Sequence, residues 1–349
     1  MLKLPITRAH LTTLAALTLV ASPLVSAAPA VTATASAATV ESHYVSPQGS
    51  DANPGTAAAP LRTLKKALTR LTPGDTLYVR GGRYRERVTS TPVVAGTAGA
   101  RITVRAYPGE RPVLKGLLWL KNASYWRIDG LNVTWDPSTG KRSEHMVKLT
   151  GGTGWAFTGA EVWGARSYAA VLVTGTARDW RVARNYVHDT MTSNGTNQDH
   201  LVYVNTIGTG RGLVERNVLV RSANGRAVKV GPASADKGGV TNVVIRYNSM
   251  FDNRGPSNVQ LAWRTSGVSV YRNIMSAPAQ GRSAVTAYHL AGTRNVVTDN
   301  LAWGTTRVLD RGAAGLADGG GNRIADPRFR NAARSDFRTL SKLAYGRYA

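Results

Sequence analysis

The 349-residue chain contains no cysteine, only 4 phenylalanines and far fewer acidic than basic residues. Without cysteine it forms no disulfides, so a large core or repetitive packing must stabilise the fold. Its 20 Asp and Glu residues stand against 44 Lys and Arg residues, which gives a formal net charge of +24. This excess favours polyanionic partners such as acidic polysaccharide, wall polymer or nucleic acid, although a solvated basic surface would have the same composition.

Long apolar runs are missing beyond the first 30 residues. The start, MLKLPITRAHLTTLAALTLVASPLVSAAPA, has basic residues at Lys3 and Arg8, then a short apolar stretch containing threonines, then small residues. This pattern predicts a secretory signal peptide over residues 1–27 rather than a membrane anchor. We expect a flexible Ala/Thr-rich leader over 28–42, one folded domain over 43–349, and a secreted, extracellular protein.

The rest of the sequence repeats one pattern, in which a β-rich run leads to a polar residue and then to two or three mostly apolar residues. The polar positions are Asn132, Glu161, Asn185, Asn217, Asn248, Asn273 and Asn300. Short alternating segments such as HMVKLTG, AAVLVTG, HLVYVNT and RAVKVGP lie between them. Units of roughly 24–32 residues with short strands and Gly/Asn turns are typical of parallel β-helix coils, whereas a β-propeller blade needs about 40–50 residues.

The recurring asparagines have a structural interpretation. In a solenoid, the same position of each coil stacks on its neighbour about 4.8 Å away. An asparagine at each turn can donate its NH₂ group to the carbonyl of the next, which satisfies turn groups along a ladder. We therefore interpret the column as structural rather than catalytic. Glu161 interrupts it and is expected to pair with a nearby arginine.

The segment AAAPLRTLKKALTRLTPGD predicts a short amphipathic helix over residues 60–71. The apolar positions on one helical stripe are Leu61, Leu64, Leu68 and Leu71. A helix with this stripe would bury its apolar side against the first coil. It would thereby cover the strand edges that the open end of a solenoid exposes.

Three segments carry a family resemblance. YVSPQGSDANPGTAAAPLRTLKKAL and TPGDTLYVRGGRYRERV resemble the N-terminal part of secreted right-handed parallel β-helix proteins of the pectate-lyase-like superfamily, and ADPRFRNAARSDFRTLS resembles their C-terminal part. The resemblance covers roughly residues 43–345 and implies an all-β, single-stranded right-handed parallel β-helix. It implies less about function, because the superfamily includes lyases, hydrolases, epimerases and inactive binding proteins.

Aligning the second set of strands on their alternation predicts an outward column of mostly polar side chains. The column is Lys148, Leu172, Tyr203, Lys229, Gln260 and Thr286, flanked by His145, His200, Arg226, Arg264, Tyr288 and His289. This face has bases, hydroxyls and cations but almost no carboxylates. Glycoside hydrolysis needs two carboxyl groups across the scissile bond, so a hydrolase is disfavoured. β-Elimination needs a base, cations that neutralise a uronate carboxylate, and a proton donor for the leaving oxygen.

These requirements make the chain a candidate polysaccharide lyase that acts on an acidic, uronate-containing polysaccharide. Lys229 would be the base if Arg226 and Arg264 lower its pKa, and Tyr203 or His200 would be the proton donor. The predicted substrate-binding residues are Lys148, Arg226, Gln260, Tyr288 and His289. The segment AVKVGPAS followed by NVQLAWRTSGVSVYRN also resembles β-helix lyases that act on alginate or dermatan-type polymers, which implies Lys229 as base and Arg264 as its helper.

Two features differ from those lyases. They have a serine after the lysine and a histidine after the arginine, where this chain has Val230 and Thr265, and the acidic calcium ligands upstream of their lysine are missing. Calcium is the one candidate cofactor, in the insertion HDTMTSNGTNQDHLVY over residues 188–203. The oxygen ligands there are Asp189, Asn194, Asn197 and Asp199. The alternative is an Asn-rich turn that satisfies its own backbone.

Two other functions stay open. The first is a non-catalytic carbohydrate- or wall-binding solenoid. The second is nucleic-acid binding, which is disfavoured because the basic residues are spread over all coils and no recognition motif is present in the sequence. We expect a monomer that is not associated with a membrane.

Overall fold

The computed structural model describes residues 40–349 apart from 92, 139–143, 193–197, 235, 277, 279–282 and 311–312. The predicted signal peptide and almost all of the predicted leader lie outside the described residues. Within the described part of the chain, no helix is long and apolar enough to cross a membrane.

The described residues form three ladders of parallel strands, the parallel coiling that the repeats predicted. The first ladder has eleven strands: Ser42–Val45, Thr76–Val79, Ile102–Ala106, Trp126–Asp129, Ala156–Thr158, Trp180–Ala183, Gly212–Glu215, Val243–Arg246, Ser269–Tyr271, Asn295–Thr298 and Leu316–Asp318. Each strand pairs in parallel with the corresponding strand of the next coil. This is the architecture of a parallel β-helix.

The second and third ladders share two long strands near the N-terminal end, Gly82–Thr91 and Pro112–Lys121. The second ladder continues through Asn132–Thr134, Glu161–Trp163, Tyr186–His188, Val218–Val220, Ser249–Phe251, Ile274–Ser276, Leu301–Trp303 and Arg323–Ile324. The third continues through Val147–Thr150, Ala169–Gly175, His200–Thr206, Val228–Val230, Val259–Ala262, Ser283–Tyr288 and Arg307–Leu309.

Alternation along these short strands builds one continuous apolar core. Val228 and Val230 are fully buried, whereas Lys229 between them is only partly buried. The same pattern in successive coils stacks valine, leucine and isoleucine side chains inside the ladders. A core of this length replaces the disulfides that the sequence cannot form.

The asparagine column forms the predicted ladder. The side-chain NH₂ of Asn185 donates to Oδ1 of Asn217 at 3.1 Å, and that of Asn217 donates to Asn248 at 2.9 Å. The same bond continues at 3.0, 3.0 and 3.1 Å through Asn273, Asn300 and Asn322. Each Oδ1 also accepts the backbone N–H of the preceding asparagine. The structural interpretation is therefore confirmed.

Two details complete the ladder. Asn322, which the sequence pattern missed, continues it by one coil. At the interruption, the backbone N–H of Glu161 donates to Oδ1 of Asn132 at 2.8 Å, and the Glu161 carboxylate pairs with Arg111. The expected pairing of Glu161 with an arginine is confirmed.

The N-terminal helix is shorter than predicted. It spans Leu64–Leu68, not residues 60–71. It begins there because the Thr63 side chain caps it by accepting the Lys66 N–H, while Asp51 accepts the N–H group of Thr63 itself. The four leucines of the predicted stripe are nevertheless buried.

The helix packs against Ser42–Val45 and Gly82–Thr91, two strands at the start of the ladders. Its first backbone N–H groups, those of Leu64 and Lys65, donate to the carboxylate of Glu86 at 2.8 and 3.0 Å. The first coil therefore satisfies donors that a helix N-terminus leaves unpaired.

The C-terminal segment folds back onto the second ladder. Phe329–Asn331 and Asp336–Thr339 pair antiparallel around the 3₁₀ turn Ala332–Arg334. Phe337 is 1% exposed and lies in an apolar cluster with two valines of the strand Val218–Val220. We call residues 329–339 the C-terminal hairpin.

Candidate functional site

The third ladder carries the predicted outward column. The paired positions of successive strands are Trp119, Lys148, Leu172, Tyr203, Lys229, Gln260 and Thr286. The sequence-predicted order is confirmed and is extended at one end by Trp119. The surface formed by this column and its flanking residues is called the groove face below.

Lys229 lies at the centre of the groove face on the strand Val228–Val230. Its ammonium group lies 4.8 Å from the centre of the Tyr203 ring. Burial, together with the positive charge of Arg226, lowers the pKa of Lys229 to about 8. A substantial fraction of Lys229 is therefore unprotonated at mildly alkaline pH, which is the state that a general base requires.

Arg226 is the cation that acts on Lys229. It is 2% exposed, and its Nε donates to Oγ of Ser257 at 3.1 Å. Ser257 Oγ in turn lies 2.7 Å from Oγ1 of Thr286. Burial lowers the pKa of Arg226 to about 10, so its guanidinium stays charged at neutral pH.

Arg264 lies one coil beyond Lys229, close to the end of the strand as expected, and its role as helper stays a prediction. It is exposed in the turn after Val259–Ala262, where its backbone packs against Gly239 of the preceding coil. The sequence suggested that Arg226 and Arg264 together lower the pKa of Lys229, but Arg226 is the arginine that lowers it. The difference arises because Arg264 lies past the end of the strand, four residues beyond the position that pairs with Lys229.

His200 is fully buried and has a defined tautomer. Its Nδ1 accepts the backbone N–H of Arg226 at 3.1 Å, so the ring proton must be on Nε2. Burial, with the charges of Lys229 and Arg226, holds the pKa of His200 well below its usual range. The neutral ring can donate a hydrogen bond from Nε2, but its lone pair is already used. The proton-donor role of His200 stays a prediction.

Tyr203 lies edge-on to His200, with ring centres 5.8 Å apart. It is 7% exposed, and burial raises its pKa to about 12. The hydroxyl therefore keeps its proton at physiological pH and can deliver it to a strongly basic oxygen. The proton-donor role of Tyr203 stays a prediction with which this protonated state is compatible.

One end of the groove face combines an indole with two ammonium groups. Those of Lys148 and Lys121 lie 4.0 and 4.6 Å from the centre of the Trp119 ring. Burial and the charge of Lys121 lower the pKa of Lys148. Burial and the charge of Lys148 lower the pKa of His145 to about 4, so this histidine is neutral. The strand alignment from the sequence did not place Trp119 and Lys121 in this column. They lie on the long strand Pro112–Lys121, which pairs with both the second and the third ladder.

The other end of the groove face is aromatic. Tyr288 is 49% exposed and meets Trp263 edge-on with ring centres 5.7 Å apart. His289 stacks on Trp263 at 4.9 Å. Gln260, which pairs with Lys229 in the ladder, is 5% exposed. Exposed aromatic faces of this kind suit sugar rings, whereas Gln260 contributes little accessible surface.

Of the four calcium ligands predicted in the insertion at 188–203, the structure describes two, Asp189 and Asp199. The carboxylate of Asp189 is bound by Arg221, with Nε and Oδ1 2.5 Å apart, and by Nδ1 of His188 at 2.6 Å. Asp199 is fully buried, and Asn194 and Asn197 lie outside the described residues. Over the described ranges, no three His, Cys, Asp or Glu side chains are grouped to hold a metal ion. The Asp189 carboxylate is thus already paired with the Arg221 guanidinium, and calcium binding by the insertion stays a prediction.

Fold and groove face define a parallel β-helix protein with a lysine-centred basic site. Residues 43–173 match the family model described as Pel9A-like, right handed beta helix region. The match supports the resemblance to the pectate-lyase-like superfamily for that part of the chain. It includes Lys148 and ends before Lys229.

Individual relatives match shorter segments. The chain is 33% identical over 110 residues to pectate lyase PEL9 of Emericella nidulans, covering 26% of this chain and 27% of that protein. It is 37% identical over 91 residues to the pectate disaccharide-lyase of Dickeya chrysanthemi, covering 26% of this chain and 11% of that protein. The matches thus span about a quarter or less of these relatives.

Solved structures agree in fold. A structure of XylC in complex with xylose covers 81% of this chain and 70% of its own, with a TM-score of 0.59 and 12% identity. A glycoside hydrolase covers 81% of this chain and 96% of its own, with a TM-score of 0.52 and 10% identity. At these identities the likeness concerns the fold alone.

Proposed function

We propose that the chain is a secreted polysaccharide lyase that cleaves a uronate-containing polymer by β-elimination. The observation that carries this proposal is Lys229, a partly buried lysine with a pKa of about 8 at the centre of the groove face. The pectate lyases among the relatives add independent support. Secretion rests on the signal-peptide pattern of residues 1–27.

The reaction uses three side chains of the groove face. Neutral Lys229 removes the proton from the carbon next to the uronate carboxyl group, and that electron pair forms the carbon–carbon double bond as the glycosidic C–O bond breaks. Tyr203 protonates the leaving oxygen. The Lys229 ammonium, close to the Tyr203 ring, then returns its proton to the phenolate. Arg226 stabilises the negative charge that develops on the carboxylate.

The direct test measures turnover on a panel of pectate, alginate and dermatan-type polymers. Turnover is monitored through the ultraviolet absorbance of the unsaturated products. Lys229→Met keeps the length of the side chain but removes the proton acceptor. We expect it to lower turnover by a factor on the order of 10² to 10⁴. Lys65→Met, on the exposed side of the N-terminal helix, is the matched control and should retain full activity.

The pH profile is a second readout. Activity should rise with pH and level off above the Lys229 pKa of about 8. An active Lys229→Met protein with an unchanged profile would refute the mechanism. Salt-sensitive binding of polymer without product would favour the non-catalytic carbohydrate-binding alternative, and equal competition by duplex DNA would favour nucleic-acid binding.

A further inference from the structure

Two hydrogen-bond donors beside Lys229 lack partners. His200 Nε2 and Tyr203 Oη are both inaccessible to solvent, and neither has a hydrogen-bond partner among the residues that the structure describes. Leaving a buried donor without a hydrogen bond is destabilising, so two of them in one place require an explanation. Proton transfer to the leaving oxygen accounts for Tyr203 Oη. It does not account for His200 Nε2.

The Nε2–H group of His200 is a fixed donor with no acid chemistry. The backbone N–H of Arg226 occupies Nδ1 of the same ring, so the imidazole cannot change tautomer without losing that bond. A neutral imidazole does not release its Nε2 proton near neutral pH, but it can donate it in a hydrogen bond. Because His200 is fully buried, the group can bind only an acceptor that displaces part of the packing around it on the groove face.

The charges around this donor specify an anionic acceptor. Apart from burial itself, the charges of Lys229 and Arg226 are the main cause of the lowered pKa of His200. A positive potential disfavours a protonated ring and attracts a negatively charged oxygen. Lys229 is the partly exposed member of the group, and its flexible stem can move aside to admit a ligand while its ammonium stays close.

We propose that His200 Nε2–H and the Arg226 guanidinium bind the uronate carboxylate directly, so that the site recognises the free acid without a metal ion. This inference rests on the proposed function for the identity of the ligand. It assigns the two unpaired donors to different substrate oxygens, with His200 on the carboxylate and Tyr203 on the leaving oxygen. His200 is then a specificity residue that distinguishes a uronate from its methyl ester.

Two substitutions separate the binding role of His200 from its structural role. In His200→Asn, the amide oxygen can replace Nδ1 as acceptor for the Arg226 N–H, but nothing replaces Nε2–H. In His200→Gln, the amide NH₂ can reach the place of Nε2–H, but the acceptor for Arg226 is lost. The first variant should stay stable and lose acid recognition. The second should lose stability and keep acid recognition.

The experiment is calorimetric binding of trigalacturonate and of its methyl ester in EDTA, in the Lys229→Met background so that no substrate is consumed. The Lys229→Met protein should bind the acid more tightly than the ester. Adding His200→Asn should reduce that preference about 10- to 100-fold, as expected for the loss of a hydrogen bond to a charged group. His200→Gln should largely restore it while melting at a lower temperature. Tyr203→Phe should leave the acid preference unchanged, because the leaving oxygen that Tyr203 contacts is common to the acid and the ester.

Tyr84→Phe is the control for loss of a buried hydroxyl. The Tyr84 hydroxyl bonds to the carbonyls of Val45 and Arg80, so its removal should lower the melting temperature without changing binding. Tyr203→Phe removes an unpartnered hydroxyl and should leave the melting temperature unchanged or higher.

Any of three results would overturn the inference. They are an unchanged acid preference in His200→Asn, binding of trigalacturonate only when calcium is added, and no binding of trigalacturonate by the Lys229→Met protein. Failure of the proposed function is seen separately, as absence of unsaturated products from the unmutated protein. If the protein lacked lyase activity but its acid preference still depended on His200, the inference would stand and the proposed lyase function would be refuted.

Discussion

Lys229 is held where its charge is costly. Its pKa of about 8 compares with 10.5 for a free lysine, so the folded protein binds its proton less tightly than the unfolded chain does. Below pH 8 both states are protonated and the full cost of burying the charge is present. Between pH 8 and 10.5 the unfolded chain binds more protons, so this cost disappears as pH rises.

Lys229→Met should therefore stabilise the protein, and by more at low pH. We expect a gain in the free energy of unfolding of about 1–2 kcal/mol at pH 7, reduced from the full pKa difference because the side chain is partly exposed. The gain should shrink between pH 8 and 10.5. Chemical denaturation of both proteins at pH 7, 9 and 10.5 measures it, and a gain independent of pH would mean that the buried charge is not its cause.

For single residues, the sequence predicts where a side chain lies in the column but not its burial or its protonation. Alternation with a period of two was enough to place Lys229 between Tyr203 and Gln260. The burial of Arg226 and the tautomer of His200 depend on neighbours in adjacent coils, some 25–30 residues away in sequence, and no local pattern encodes them.

The asparagine ladder is the element that most clearly connects sequence to fold. Each buried member satisfies a backbone N–H and a carbonyl as well as its neighbour's side chain. Each coil contributes one asparagine at the same turn, so the column recurs along the sequence and can be recognised there. Asn322 was missed because the GGGN segment around it lacks the β-rich run that marks the other coils.

Asn217→Ala should lower the free energy of unfolding by about 1–3 kcal/mol, because it leaves buried partners on both sides without a bond. Asn322→Ala is the comparison, since Asn322 is only partly buried and ends the ladder, so its loss should cost less. Urea denaturation of both variants checks the order. Equal losses, or loss of polymer binding with unchanged stability, would contradict the structural role of Asn217.

The helix at the N-terminal end shows that an apolar pattern does not predict where a helix begins and ends. The leucine stripe correctly identified the buried side, but the cap was set by Asp51 and Thr63, which meet only once the chain has folded. The first and last leucines of the stripe are buried outside the helix, where Leu61 forms a bridge to Val45. An apolar stripe thus predicts burial more reliably than it predicts helix length.

At the scale of the whole molecule, the C-terminal hairpin changes how the coils are coupled. A solenoid is held mainly by contacts between adjacent coils, so its parts can unfold independently. Here Tyr186 donates to Ser335 Oγ at 3.0 Å, and Phe337 packs against Val218 and Val220. These contacts join residues more than 100 positions apart and bind the central coils to the end of the chain.

Phe337→Ala should uncouple these regions. We expect a loss of about 3–5 kcal/mol, as for a buried phenylalanine, and a broader or two-step unfolding transition. Calorimetry together with tryptophan fluorescence measures both effects. Phe329→Ala, at a partly buried position of the same hairpin, should cost less. A single sharp transition in Phe337→Ala would mean that the coils are coupled without the hairpin.

Between Asn185 and Asn322 every coil offers the same amide donor to one neighbour and the same acceptor to the other. A duplicated or deleted coil in this region would create no unmatched group in the ladder. The number of coils is therefore free to change in evolution by tandem duplication of some 30 residues. Each such event would lengthen or shorten the groove face by one strand spacing, about 4.8 Å, and with it the length of polymer that the proposed site would hold.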